Sequence, residues 1–177
     1  METVSVVLSM IGLAAFIVSL LVKGKKMKVI LALTVAGNLL MAVSYMLTGN
    51  YNGCVSSVVG MLVGLINYFF AVQEKKIPKW LLGVYALAFV SVNLAVLSSW
   101  RDIFAIGACL AAVLMISASS GKGYRIWCLA NDLLWTVFDL LCGNFGPLVT
   151  HGVLTGFTII GMLLHDREKK VEKTEQA

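Results

Sequence analysis

The sequence predicts an all-α polytopic membrane protein with seven transmembrane helices. Three observations predict it. First, 59% of the 177 residues are hydrophobic and only 13% are charged, about half the charged share of a soluble domain. Second, the charges fall in short clusters separated by apolar runs long enough to cross a bilayer, for which a helix needs about 20 residues. Third, the clusters alternate in sign content. Lys23, Lys25, Lys26, Lys28, Lys75, Lys76, Lys79, Lys122, Arg125, Arg167, Lys169, Lys170 and Lys173 all fall in the first, third and fifth loops and the tail, while the even loops hold Arg101 alone. Only a count of seven spans separates the basic residues this way.

The expected spans are 5–22, 29–48, 54–72, 80–98, 103–118, 126–142 and 147–165. The first is followed by its basic cluster rather than preceded by one, and its start contains Glu2. That is the reverse of a signal peptide, so it reads as a retained helix. The second and sixth end at Gly49-Asn50-Tyr51 and Gly143-Asn144-Phe145, and the third and seventh at Glu-Lys-Lys. Pro78 and Pro147 stand at the starts of the fourth and seventh, where proline costs little. Trp80, Trp100, Tyr124 and Trp127 lie near span ends, where amphipathic rings prefer the headgroup region. The charged segment after the seventh span is expected to be a disordered tail.

Basic residues collect on the cytoplasmic side of a membrane. The pattern therefore places the N-terminus outside and the C-terminus in the cytoplasm. The net charge of +5 is accounted for by this asymmetry, and nucleic-acid binding is not expected. The partner implied by composition is the lipid bilayer, and the sequence is compatible with a homo-oligomer.

The chain also repeats itself. Leu39-Leu40 match Leu133-Leu134, Gly49-Asn50-Tyr51 match Gly143-Asn144-Phe145, and Glu74-Lys75-Lys76 match Glu168-Lys169-Lys170. Gly60 and Gly64 match Gly152 and Gly156 after a small slip. The unit is three helices with the fourth left over. An unpaired fourth helix makes both units point the same way, so the expected architecture is two parallel three-helix repeats joined by a linker helix, 3+1+3. The expected divisions are a first bundle at 1–77, a linker helix at 78–99, a second bundle at 100–166 and a tail at 167–177.

The string LLWTVFDLLCGNFGPLVTHGVLTGFTIIGMLLHDREKK, with its echo around Asn38–Phe70, resembles the YgjV-like family of bacterial inner-membrane proteins over most of the chain. The resemblance implies a location in the bacterial inner membrane and a helical fold, and no substrate. The 3+1+3 plan is also similar to that of the SWEET sugar transporters and the PnuC vitamin transporters. SWEET-type proteins bend at prolines within helices. Here both prolines stand at helix starts, leaving Gly37, Gly60, Gly64, Gly152 and Gly156 as candidate bending points.

Ionisable residues within a membrane are costly and mark function or a specific pairing. Asp132, Asp139 and His151 are such residues. Asp132 and its repeat partner Asn38 lie near the midplane, where repeat-built transporters hold substrate. With Trp135 they form the expected substrate-binding set, suited to a small hydroxylated or cationic solute. Ser44, Tyr45, Ser56, Ser57, Asn67, Asn93, Thr155 and Thr158 are available for further hydrogen bonds, either to solute or between helices. Asp139 and His151 flank one hairpin at similar depth. A static pair, a proton or ligand site, and no contact all remain open. Gly60-x-x-x-Gly64 and Gly152-x-x-x-Gly156 are expected to be helix-packing faces, fixed or sliding. Cys54 and Cys142 lie near the same membrane side, as a disulfide or as free thiols. No nucleotide, zinc or nucleophile motif is present, so no cofactor or metal is expected.

The leading expectation is a small-solute transporter or facilitator with its site between two repeats. The alternative is a non-transporting inner-membrane partner subunit or scaffold. An intramembrane enzyme using Asp139 and His151 ranks last, because two residues are not a catalytic constellation. The chain is thus expected not to be an enzyme.

Overall fold

A computed structural model describes residues 1–21, 27–118 and 121–175, the side chains of 20–21, 121–122 and 164–175 excepted. The described residues form seven helices and no strand: α1 (Glu2–Leu21), α2 (Met27–Leu47), α3 (Tyr51–Val72), α4 (Lys79–Ala95), α5 (Asp102–Ser117), α6 (Gly121–Cys142) and α7 (Phe145–Glu175). Of these, α1, α2, α3 and α7 contain stretches both long and apolar enough to cross a membrane, α4 and α5 are shorter apolar helices, and α6 carries Arg125, Asp132 and Asp139 along its length. Lys23, Lys25 and Lys26 of the first basic loop lie outside the described residues.

Two ends differ from expectation. Helix α6 begins at Gly121 rather than near Ile126. Helix α7 continues to Glu175, so the segment expected to be a disordered tail is helical there. Glu and Lys are good helix formers, and an apolar helix already nucleated upstream propagates into them at little cost.

The two Gly-Asn turns have the same geometry. Gly49 and Gly143 have φ of 73° and 72°, the left-handed region that favours glycine. The Asn50 amide donates to the Tyr45 carbonyl at 2.9 Å and the Asn144 amide to the Asp139 carbonyl at 3.0 Å. The Gly49 amide donates to the Met46 carbonyl at 3.1 Å and the Gly143 amide to the Leu140 carbonyl at 3.4 Å. These 6→1 and 5→2 bonds form the Schellman motif that ends a helix. Asn50 then starts α3, its side chain accepting from the Gly53 amide at 2.9 Å. Pro147 is buried in the first turn of α7, where its missing N–H removes no helical bond.

Helix α2 packs between α1 and α3, and α6 packs between α5 and α7. The chain closes on itself through α1 against α7, while α4 joins α3 to α5 and α3 also touches α5. A Cβ on Gly146 would stand 2.8 Å from Ser9 Oγ and 3.0 Å from Val6 Cα, so glycine is required where α7 meets α1.

Polarity is inverted relative to a soluble protein. Ser5, Ser9, Ser44, Asn93, Asp139 and Thr150 are fully buried, whereas Leu87, Leu140, Leu163, Phe69 and Met46 are more than 60% exposed. An apolar exterior with hydrogen-bonded polar groups inside is the arrangement that hydrocarbon solvent favours. The interior groups tie helices together. The Ser44 hydroxyl lies 2.7 Å from both Ser5 Oγ and Ser9 Oγ. Thr150 Oγ1 donates to the Ser9 carbonyl at 3.2 Å. Ser56 Oγ donates to Asn93 Oδ1 at 2.9 Å, Tyr85 OH to Asn67 Oδ1 at 2.8 Å, and Asn131 Nδ2 to the Ala108 carbonyl at 2.8 Å. The centre is filled by Tyr45, Tyr85, Phe89, Trp135 and Phe138 against Ala105 and Ala108.

Candidate functional site

The 3.6-residue period places Cys128, Asp132, Thr136 and Asp139 in one row along α6. The row faces α7. Asp132 Oδ2 accepts from Thr158 Oγ1 at 3.0 Å and from Cys128 Sγ at 3.7 Å. Thr136 Oγ1 lies 3.4 Å from Thr155 Oγ1. Asp139 Oδ2 meets His151 Nδ1 at 2.7 Å. A continuous polar seam thus runs between α6 and α7.

The seam ends in its most buried group. Asp139 has no exposed surface and His151 is 9% exposed. Asp139 Oδ1 accepts from Tyr45 OH on α2 at 2.8 Å and from Asn144 Nδ2 at 3.3 Å. Asp139 thus takes two donors on Oδ1 and meets the His151 ring nitrogen on Oδ2. Trp135 covers the pair. Its ring stacks on His151 with centroids 5.5 Å apart and planes 15° apart, and sits 6.0 Å from the Tyr45 ring. Phe138 packs edge-on against Trp135 at 5.5 Å. The cluster joins α2, α6 and α7 around one buried His–carboxylate pair.

Asp139 and His151, read as flanking one hairpin, are therefore brought together. Trp135 belongs to their cluster rather than to Asn38 or Asp132. Asn38 and Asp132 are not brought together. Asn38 Nδ2 donates to the Thr34 carbonyl of its own helix at 2.9 Å, and its Oδ1 faces Gly60 of α3. Asp132 turns to Thr158 of α7. The two residues are equivalent in the repeat, and each points into its own half instead of at the other. The hydrogen bonds of Asn38 and Asp132 thus run to different helices, and Trp135 stacks on His151.

The glycine pairs also part company. A Cβ on Gly60 would lie 2.9 Å from Asn38 Oδ1, and one on Gly64 2.9 Å from Val35 Cγ2, so α2 and α3 approach closely there. Cβ atoms on Gly152 and Gly156 would have no neighbour within 4 Å. The seam side of α7, with Thr155 and Thr158, faces α6 instead. Cys54, Cys109, Cys128 and Cys142 are all free thiols.

Tyr45 and Asn144 were not singled out in the sequence as partners of Asp139. A signal for Tyr45 existed. It is 94 residues from Asp139, the same offset that superimposes Leu39-Leu40 on Leu133-Leu134 and Gly49 on Gly143.

The apolar exterior, the buried polar ties and the long apolar helices define a helical membrane protein. The chain belongs to the Imp-YgjV family, described as bacterial inner membrane protein, which it matches over residues 4–169. Neither a curated protein nor a solved structure matches it.

Proposed function

We propose that the chain is a small-solute carrier or facilitator of the inner membrane, working at the interface between two three-helix repeats. In this reading all seven helices span the bilayer, with α1–α3 and α5–α7 as parallel repeats joined by α4, the N-terminus outside and the C-terminus in the cytoplasm. The observation that carries the proposal is the 2.8 Å hydrogen bond between Tyr45 and Asp139. Repeats related by a two-fold axis bring equivalent positions face to face only where the axis passes. Tyr45 and Asp139 are such positions, so in this reading the two halves meet there, and the buried His–carboxylate pair lies on that seam. Parallel repeats related by an axis along the membrane normal are a transporter architecture, with the site near the repeat interface. Intramembrane ionisable groups are retained at solute and proton pathways.

The carrier site is then Tyr45, Trp135, Asp139 and His151. In the arrangement described the aromatic rings close the centre, so solute passage requires the halves to part at Tyr45 and Asp139. Proton exchange at the His–carboxylate pair is the means of coupling that parting to a gradient. The chain is read as a non-enzyme: the pair serves binding and proton balance, not a covalent step.

The aromatic packing of the centre also favours the second reading, a non-transporting partner subunit. Reconstituted protein decides. Proteoliposomes are loaded with labelled sugars, amino acids, nucleosides and vitamin precursors in turn. Uptake of one class above protein-free vesicles, reduced at least tenfold in Asp139→Asn, is the expected result. No uptake of any class by folded protein that co-purifies with another membrane protein would sink the carrier reading.

A further inference from the structure

The end of the bundle that carries both Gly-Asn turns holds a recess of about 260 Å³. It is built from the turn after α2, the turn after α6 and the loop between α4 and α5. Asn50, Asn52, Asn144, Ser99, Arg101 and Asp102 line it. Asn50 and Asn144 are repeat equivalents, so the recess lies over the same junction as Tyr45 and Asp139. Its floor is connected to the buried pair, because Asn144 also donates to Asp139 Oδ1.

One group in the recess points to a ligand. Asn52 is 3% exposed, and its Nδ2 donates to the Val96 carbonyl at 3.1 Å. Its Oδ1 is buried and accepts no hydrogen bond from any described residue. Buried acceptors are rarely left this way, because each carries a desolvation cost that a donor would remove. The rest of the lining narrows the chemistry. Asp102 is already committed: its Oδ2 accepts from the Ser98 and Ser99 amides at 2.8 Å each and from Ser98 Oγ at 3.2 Å. Arg101 and Asp102 carry opposite formal charges, so the lining has no net formal charge. It offers guanidinium donors at Arg101 beside the unfilled acceptor of Asn52, which a turn of that side chain would bring to the recess. A solute whose groups each donate and accept satisfies all of them. The volume lies just below the range of drug-sized sites.

We infer that this recess binds a small uncharged polyhydroxylated solute of monosaccharide size, with one hydroxyl donating to Asn52 Oδ1. The inference deepens the carrier reading by naming a docking site and a solute class, and it is tested without transport. Binding of tritiated monosaccharides and pentitols to the purified full chain is measured by scintillation proximity, with unlabelled competitor. Equilibrium binding is preferred to thermal shift because sugars stabilise proteins nonspecifically. Saturable binding is expected, weakened at least tenfold in Asn52→Ala and in Arg101→Gln. Arg101 is exposed, so its variant keeps the fold if Asn52→Ala does not. Absence of saturable binding to folded wild type overturns the inference, as does binding that neither recess variant changes. Recess binding without uptake in vesicles would remove the carrier and leave the site. Uptake without recess-dependent binding would do the opposite.

Discussion

Tyr45 and Asp139 hydrogen-bond to each other at 2.8 Å although 94 residues separate them, and the same offset relates the two halves of the sequence. The tyrosine hydroxyl shares Asp139 Oδ1 with Asn144, so it is one of two donors there. Its removal by Tyr45→Phe leaves the ring packing and the second donor intact. Interhelical hydrogen bonds in membranes average about 0.6 kcal/mol with a maximum near 1.7. Tyr45→Phe should therefore lower stability by about 0.5–1.5 kcal/mol, measured as reversible unfolding in mixed micelles.

Asp139 and His151 are coupled more strongly. Removing one partner of a buried hydrogen-bonded pair leaves the other unsatisfied, at a cost of about 1–3 kcal/mol. Asp139→Ala should fall in that range. A cycle of Asp139→Asn, His151→Gln and the double variant should give a coupling of about 1–3 kcal/mol. Additive single effects would show that the 2.7 Å contact contributes nothing of its own.

The glycines separate by role. Gly49 and Gly143 have positive φ and open space around them, so Gly49→Ala and Gly143→Ala should each cost about 1–2 kcal/mol through the backbone alone. At Gly53 the cause is different, since an added Cβ would enter the Tyr45 ring. Gly53→Ala should cost about 1–3 kcal/mol by overpacking. Gly152→Ala, with nothing near it, should be neutral or gain up to about 1 kcal/mol of helix propensity. Thermal midpoints of the four variants, compared at one detergent concentration, check the order.

The membrane orientation is open to direct labelling. In a background with Cys54, Cys109, Cys128 and Cys142 replaced by alanine, an impermeant maleimide applied to spheroplasts should modify Arg101→Cys and not Lys75→Cys. The reverse result would invert the proposed topology. Labelling of both would mean that the spans do not alternate as proposed.

Sequence alone determined the number and order of the helices and most of their ends, the start of α6 and the end of α7 excepted. Apolar runs, the Gly49 and Gly143 turns and the prolines at 78 and 147 act locally, and each carries its own physical signal. It also determined that Asp139 and His151 lie at similar depth, because a short turn joins their helices. Other features were decided only by tertiary packing. Asn38 and Asp132 look alike in sequence position, yet each is rotated into its own half by the helix beside it. The Gly152 face is left open, whereas the Gly60 face closes on Asn38. Helical periodicity says which residues share a face, but the partner of that face depends on contacts between segments distant in the chain. The meeting of Tyr45 with Asp139 belongs to that second kind, since no local rule brings two residues 94 positions apart to 2.8 Å.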